Sequence, residues 1–200
     1  MRVLVIGAGG FSKEVVDLLR ALQHDAVGFY DERVPEGLHG LYGIPIVHDP
    51  STVRCDAAVI AVGDTGLRMR FFQEFSGVVT LPSFVHPSAC VSTWARLGSG
   101  TLVMQNAVIS AGASVGDNCL INVGVYVAHD VVVGPHSHLA ASVQLGGLSS
   151  VGTGALCGTA TVVLPSTRVG DWAVCGSGAV VTRDVGDSTT VTGVPARPSS

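Results

Sequence analysis

Three histidines in the second half of this sequence, His129, His136 and His138, are the residues best suited to proton transfer. A protein base that works near neutral pH is usually a histidine, because imidazole gains and loses a proton in that range. Asp130 follows His129 directly and could support an imidazolium by its charge. This pair is therefore the candidate base. The alternative for each histidine is a solvated surface residue, and for His136 that is the better interpretation.

The histidines lie inside a six-residue repeat that runs from Val91 to about Val185. Every sixth residue from Val91 to Val181 is apolar, the next is usually glycine, serine or alanine, and the fifth is small or β-branched. A period of six does not match the 3.6 residues of an α-helical turn, and the glycine and β-branched content disfavours a helix as well. A short strand and a turn in each hexad fit the pattern, so the sequence predicts a repeating β structure.

The repeat resembles the hexapeptide signature of left-handed parallel β-helix acyltransferases. In that family three hexads form one triangular coil, which implies that residues eighteen positions apart stack at the interstrand spacing of ~4.8 Å. His129 and Asp130 occupy the third and fourth positions of their hexad, so we expect them to face outward or to lie at a corner. Ala111 and Gly147 would then flank His129, and the Gly147 N–H could approach a thioester oxygen as an oxyanion donor.

The start of the chain predicts a small Rossmann-like parallel α/β domain. Arg2–Ile6 is a buried strand, residues 11–22 form a helix, and residues 26–30 form a second strand. The glycine-rich turn at 7–10 and the helix N-terminus after it offer backbone N–H groups to a phosphate. Asp31 ends the second strand, where an acid can bind a ribose or a base. Because the glycine pattern is incomplete, a tight turn with a purely structural role is the alternative.

Further strands are predicted at 44–47, 57–62 and 78–81, with a second helix over 66–75. Ligands of open α/β sheets bind beyond the carboxyl ends of the strands, which places a ligand near residues 7–11, 31–32 and 63–64. The segment is too short for a complete dinucleotide domain, so a mononucleotide or a nucleotide-linked sugar is expected. We predict this α/β domain at residues 1–82, packed without a flexible linker against an all-β domain at 83–200.

Taken together, the two halves resemble the PglD/NeuD-like sugar acetyltransferases. The resemblance is carried by the glycine turn at 7–10, Asp31, Gly63, His129-Asp130, Ser137-His138 and the terminal Gly-Val-Pro-Ala-Arg at 193–197. It implies an enzyme that transfers acetyl from acetyl-CoA to the amino group of a nucleotide-linked amino-deoxysugar. It also implies a homotrimer with active sites between subunits. Outward-facing apolar residues favour an oligomer independently, namely Val132, Leu148, Leu156 and Val174.

The resemblance implies roles for individual residues as well. His129 matches the general base, Asp130 the acid that supports it, where some relatives carry glutamate, and Gly147 the backbone oxyanion donor. The residues expected to hold acetyl-CoA are His138, Gly147, Gly158, Ala160, Gly176 and Arg197. The residues expected to hold the nucleotide-linked sugar are Gly7, Gly9, Gly10, Phe11, Lys13, Asp31, Glu32, Gly63 and Arg68. No metal is expected.

Other functions stay open at this stage. The acceptor could be a hydroxyl of a sialic acid or another sugar instead of an amine. A second alternative is a trimeric zinc enzyme that uses His129, His136 and His138, although their spacing does not resemble that of β-helix carbonic anhydrases. The third is a non-catalytic trimer whose small domain senses a nucleotide.

Composition and charge restrict the partners and the location. The net charge of −4 and the single lysine, Lys13, offer no basic surface to nucleic acid or to anionic membranes. No apolar run approaches the ~20 residues of a membrane span, and Met1-Arg2 leads directly into a strand, so we expect no signal peptide. Five cysteines without metal-like spacing favour packing thiols in a reducing cytoplasm, with Cys157 stacked on Cys175.

Overall fold

The computed structural model describes residues 1–34 and 39–199. The first part of the chain contains β1 (Arg2–Ile6), α1 (Phe11–Ala21), β2 (Asp25–Tyr30), β3 (Gly40–Leu41), β4 (Ile44–Val47), a 3-10 turn (Pro50–Thr52), β5 (Ala57–Ile60) and α2 (Thr65–Phe75). The strands form one sheet in the order β3-β4-β2-β1-β5, parallel except for β3 at the edge. Apolar residues of β1 and β5 pack against both helices, as the buried runs of the sequence predicted.

The strand predicted at residues 78–81 does not form. Among the described residues, one backbone hydrogen bond joins this segment to the sheet, from the Ala58 N–H to the Thr80 carbonyl at 2.9 Å. Gly77, directly before the segment, takes a left-handed conformation with φ 81°, and Pro82, directly after it, has no N–H to donate. The chain therefore passes β5 as an irregular connection. The predicted domain boundary after residue 82 falls in this connection and stays a prediction.

From Phe84 onward the chain forms a parallel β-helix whose two- or three-residue strands occupy three faces in turn, and only its last strand pairs antiparallel among the described residues. Val108 pairs with Tyr126, and Tyr126 with Gln144, so each coil contains eighteen residues. The first face consists of Phe84–Val85, Leu102–Val103, Leu120–Ile121, His138–Leu139, Leu156–Cys157, Val174–Cys175, Thr190–Thr192 and Arg197–Pro198. The second consists of Cys90–Val91, Val108–Ile109, Tyr126–Val127, Gln144–Leu145, Val162–Val163 and Val180–Val181. The third consists of Arg96–Leu97, Ser114–Val115, Val132–Val133, Ser150–Val151 and Arg168–Val169.

The apolar residue that opens each hexad points into the β-helix and forms its core. Val127 and Leu145 are completely buried in this way. Cys157 and Cys175 are strand partners in the same column, and both are free thiols. At many corners the fourth hexad residue is left-handed, as at Asp130 with φ 59°. That conformation turns the chain from one face to the next and points the residue's side chain away from the core.

The small domain packs on the first face of the β-helix. Val15 and Leu19 of α1 share an apolar cluster with Leu102, Met104 and Leu120 of that face. The β-helix thus presents an apolar strip to the small domain, and burial of this strip fixes the domain on one face. Gly63, after the carboxyl end of β5, contacts His138, whereas His24, before the amino end of β2, lies against Phe84 at the start of the β-helix. The carboxyl ends of these strands are therefore on the side of the C-terminal coils, a direction called upward below.

Candidate active site

His129 and Asp130 lie where the second face turns into the third. The residues 93–94, 111–112, 129–130, 147–148 and 165–166 stack there, and we call this column of turns the His129 corner. Asp130 Oδ2 lies 3.0 Å from His129 Nδ1. Because an ionised carboxylate only accepts, Nδ1 carries the proton and Nε2 has a free lone pair. The two side chains are 63% and 56% exposed, so a substrate can approach the pair.

Gly147 lies one coil above His129 and directly against its ring. A Cβ atom at residue 147 would come within 2.5 Å of His129 Nε2 and 2.7 Å of Cε1, so the imidazole needs a glycine there. Within the part of the chain that the structure describes, the Gly147 N–H donates no hydrogen bond, and the same holds for Ala111 and His129 in that column. Only Gly147 of these three lies beside Nε2. A thioester placed there could meet a proton acceptor and an N–H donor together.

A cavity of about 540 Å³ opens at the carboxyl ends of β1, β2 and β5. Six residues predicted to bind the nucleotide-linked sugar line it, namely Gly7, Gly9, Gly10, Phe11, Asp31 and Gly63. It is also lined by Asp64, which the sequence placed at the ligand-binding edge of the sheet, and by four residues that the sequence did not single out: Arg33, Ala61, Val62 and Leu67. The structure therefore brings the glycine turn, the acid after β2 and the end of β5 together around one space.

Arg33 is the cation of this cavity. Its Nε lies 3.9 Å from Asp31 Oδ1, and its side chain is 74% exposed. A mostly exposed guanidinium at the mouth of a cavity is well placed to pair with phosphate oxygens. Its position three residues beyond the end of β2 is the sequence signal that could have identified it.

The glycine turn is held by Asp31, whose Oδ2 accepts a hydrogen bond from the Ala8 N–H at 2.9 Å. Gly7 has φ 105°, and a Cβ there would lie 2.8 Å from the Ala61 carbonyl oxygen, so the fold itself requires glycine. At Gly9 and Gly10 a Cβ would meet no atom within 4 Å. Packing does not require these two glycines. They leave open space through which a phosphate can approach the start of α1.

Three residues predicted to contact the sugar nucleotide do not line the cavity. Lys13 Nζ lies 5.5 Å from the centre of the Tyr42 ring. Glu32 forms an ion pair with Arg70 at 2.6 Å. Arg68 is buried, with 2% of its surface exposed.

The structure corrects the prediction for Arg68, because its guanidinium is committed to the protein itself. It donates five hydrogen bonds to backbone carbonyl oxygens, two at the end of β5 and three in the β-helix, namely those of Val62, Gly63, Asn118, His136 and Ser137. Burial lowers the pKa of Arg68 to about 10, which leaves the group charged at neutral pH. Arg68 therefore joins the edge of the cavity to the β-helix.

His138 lies on the first face beside the cavity and not at the His129 corner. Its Nδ1 donates to the Gly63 carbonyl at 3.0 Å, and burial lowers its pKa to about 4, so the ring is neutral at pH 7. Nε2 is buried and has no hydrogen-bond partner among the described residues. The ring thus offers an unused acceptor next to Gly63.

The other residues predicted to hold acetyl-CoA lie on the first face or next to it. Gly158 and Gly176 follow strands of that face, Ala160 lies at the corner between the first and second faces, and Arg197 is in the last strand. Coil stacking accounts for both glycines, because a Cβ at 158 would lie 2.7 Å from the Ser177 nitrogen and one at 176 would lie 2.8 Å from Thr192 Cγ2. Within one chain the second face separates these residues from Gly147.

One chain therefore holds two half-sites that do not meet. The cavity lies against the first face, next to His138, whereas His129 lies at the corner opposite that face. Both lie at a similar height, because residues 129 and 138 are half a coil apart in the chain. His129 and the cavity therefore lie at the same height along the β-helix but on opposite sides of it.

The described part of the chain contains neither a metal-binding group nor a membrane-spanning helix. In residues 1–34 and 39–199, no three His, Cys, Asp or Glu side chains are grouped so that they could hold a metal ion. His129 in particular is at a different corner from His136. Neither α1 nor α2 has the length and apolar character of a helix that crosses a membrane.

Comparison with known proteins agrees with both halves of this architecture. Family models match at residues 2–75, as the PglD N-terminal domain, and at residues 112–147, as the bacterial transferase hexapeptide with six repeats. PerB from Caulobacter crescentus, solved with CoA and GDP-perosamine, is 33% identical, with a TM-score of 0.93 over 100% of this chain and 98% of that chain. The acetyltransferase domain of PglB from Neisseria gonorrhoeae FA1090, solved with acetyl coenzyme A, is 30% identical, with a TM-score of 0.90 over 98% of each chain.

WeeI from Acinetobacter baumannii AYE is 26% identical, with a TM-score of 0.89 over 99% of each chain. These similarities confirm the predicted fold class, a small Rossmann-like parallel α/β domain followed by a left-handed parallel β-helix of hexapeptide repeats. Identity above 30% across nearly the whole of PerB, together with the two family models, shows the family. The chain belongs to the PglD-type sugar acetyltransferases of the hexapeptide-repeat class.

Proposed function

We propose that this protein transfers the acetyl group of acetyl-CoA to the amino group of a nucleotide-linked amino-deoxysugar. The observation that carries the proposal is the His129 ring, held by Asp130 at Nδ1 and packed against Gly147 at Nε2. PerB supports the choice of substrates, because it is solved with CoA and GDP-perosamine. A variant of perosamine N-acetyltransferase from the same organism, 32% identical to this chain, is solved with the same two molecules.

The geometry supports a separate role for each of the three residues. His129 Nε2 accepts a proton as the amine nitrogen attacks the thioester carbonyl carbon and the C–N bond forms. The Gly147 N–H stabilises the oxyanion of the tetrahedral intermediate. Asp130 stabilises the imidazolium by its charge. When the intermediate collapses the C–S bond breaks, and His129 returns its proton to the departing thiolate, so that CoA leaves as the thiol.

The nucleotide would occupy the cavity at the carboxyl ends of β1, β2 and β5. Gly9 and Gly10 let its phosphates approach the N-terminus of α1, and Arg33 supplies a positive charge at the mouth. Asp31 has both carboxylate oxygens engaged by backbone N–H groups, of Ala8 and Arg33. Each oxygen keeps a lone pair for a ribose or base donor.

A complete site would combine the two half-sites from neighbouring copies in a homotrimer. Parallel copies related by rotation keep the same height, so His129 of one subunit would face the cavity, His138 and the upper first face of the next. Acetyl-CoA would then lie between Gly147 on one side and Gly158, Ala160 and Gly176 on the other. The exposure of Val132 (54%) and Leu148 (61%) beside the His129 corner supports an interface there.

An acetyl-transfer screen tests the chemistry. The purified protein is incubated with acetyl-CoA and nucleotide-linked 4-amino-deoxysugars, including GDP-perosamine, or free sialic acids, and CoA release is measured against a reaction without acceptor. We expect turnover with an amino sugar, and loss of at least about a hundredfold in kcat for His129→Ala. His24→Ala, at the opposite edge of the sheet from the cavity, should keep its activity. Turnover only with sialic acids, or full activity of His129→Ala, would contradict the proposal.

A mixing experiment tests whether the sites are shared between subunits. His129→Ala removes the base, and Gly9→Asp adds a side chain and a negative charge to the cavity, so each variant alone should be inactive. If the two variants assemble at random in equal amounts, about a quarter of all sites should combine an intact base with an intact cavity from the neighbour. Co-expressed variants should therefore recover about a quarter of the wild-type activity. No recovery in trimers verified by light scattering would show that each chain uses its own two half-sites.

A further inference from the structure

Gly112 lies one coil below Asp130 at the His129 corner, on the opposite side from Gly147. A Cβ at residue 112 would overlap Asp130 Oδ1 and lie 3.2 Å from Asp130 Cγ. The carboxylate therefore rests with Oδ1 against the Gly112 backbone, while its Oδ2 is 3.0 Å from His129 Nδ1. The acid and the base are thus enclosed between two glycines, Gly112 below the carboxylate and Gly147 above the imidazole.

The turn at residue 112 does not itself require glycine. Gly112 has φ 75°, but Asp130, Leu148 and Ser166 take the same left-handed conformation in the same column, with φ 59°, 62° and 58°. Side chains are therefore accommodated at this position of the coil in three successive turns. What distinguishes residue 112 is the Asp130 carboxylate that occupies the space of its missing side chain.

We propose that Gly112 is a positioning residue for the base, because it leaves the space in which the Asp130 carboxylate reaches His129 Nδ1. This inference rests on the proposed function of His129. A methyl group at 112 pushes the carboxylate away from the corner, so the imidazolium formed during transfer loses its charge partner and the ring loses the contact that orients it. The substrate half-site on the first face is not touched by this change.

Gly112→Ala tests the inference. We expect kcat to fall at least about tenfold, with the KM for acetyl-CoA unchanged within about twofold, because the cofactor is proposed to lie above His129. Gly124→Ala is the matched control, since Gly124 has φ 67° at another corner and its Cβ would meet only Ser142 Oγ, at 3.7 Å. The control carries the same backbone change and should keep its kcat.

The Asp130→Ala background separates positioning from a general effect on the fold. Without the carboxylate there is nothing for a Cβ at 112 to displace, so adding Gly112→Ala should lower kcat by less than about twofold. An equal loss in both backgrounds would overturn the inference. If Gly112→Ala does not fold, folding regained in the Asp130→Ala background supports the contact, and failure in both backgrounds refutes it.

The controls also distinguish this inference from the proposed function. Full kcat of Gly112→Ala together with an inactive His129→Ala refutes the role of Gly112 and leaves the base in place. An active His129→Ala refutes the base itself.

Discussion

Replacing Arg68 by methionine should weaken the attachment of the small domain to the β-helix. The substitution keeps a long side chain but removes all five N–H to carbonyl hydrogen bonds. Two of these bonds, to the Asn118 and Ser137 carbonyls, are fully buried. A buried acceptor that loses its donor costs about 1–3 kcal/mol, so the two carbonyls together account for about 2–6 kcal/mol. Because methionine also avoids the cost of burying a charge, we expect the loss of stability to lie in the lower half of that range.

Thermal unfolding followed by intrinsic fluorescence or calorimetry measures this effect. For a chain of this size each 1 kcal/mol lowers Tm by about 2–4 °C, so a loss of about 3 kcal/mol corresponds to about 6–12 °C. Arg70→Met is the matched control from the same helix, because Arg70 forms an exposed ion pair with Glu32, and surface ion pairs contribute little to stability. Arg68→Lys keeps the charge but has fewer donors and should lie between wild type and Arg68→Met.

The activity of the same variants tests whether Arg68 acts through position. Two of its bonds hold the Val62 and Gly63 carbonyls at the edge of the cavity. We therefore expect Arg68→Met to raise the KM for the sugar nucleotide well below its Tm, with a smaller change in the KM for acetyl-CoA. A Tm loss no larger than that of Arg70→Met would refute the reasoning, because the five bonds would then contribute nothing that solvent does not replace.

Two further predictions concern the imidazoles. Gly147→Ala should lower kcat by about a hundredfold, because the Cβ would lie 2.5 Å from His129 Nε2 and displace the ring. Steady-state rates at saturating substrates measure this effect. An unchanged kcat would exclude the packing of His129 on Gly147. The second prediction concerns His138, whose pKa burial lowers to about 4 in the folded protein, whereas a histidine in the unfolded chain takes up a proton near pH 6.5. The folded state should therefore lose up to ~3 kcal/mol of stability as the pH falls from about 6.5 to about 4. Urea unfolding at pH 7 and pH 4.5 should show a smaller pH-dependent loss for His138→Leu than for wild type, and equal losses would contradict the burial argument.

The β-helix could be predicted from the sequence because its pattern repeats within every six residues of the chain. Each hexad buries one apolar residue and turns a corner, so the column that stacks Gly147 on His129 follows from counting residues. The contact between Asp130 and His129 could not be predicted from residue counting alone, because the side chains of neighbouring residues along a strand point in opposite directions. It depends on the left-handed conformation of Asp130, φ 59°, which a residue count does not reveal.

The roles of Arg68 and Gly112 depend on contacts between parts of the chain that are distant in sequence, and the sequence pattern does not specify these contacts. Arg68 lies on a helix near a strand end, where a cation usually serves a ligand. Its burial follows from docking of α2 against the corner that contains Asn118 and His136, which no local pattern specifies. Gly112 was passed over for a related reason, because glycine is common in the repeat and its importance comes from a carboxylate one coil away.

The uninterrupted repeat also fixes the position of His129 along the β-helix relative to the cavity. The small domain is fixed to the first face by Leu102 and Leu120, and each later coil adds a constant rise of ~4.8 Å. An insertion of six residues before His129 would carry the base to a different corner, and one of eighteen would lift it by a full coil. The chain between the docked coils and His129 can therefore change length only at the expense of the site.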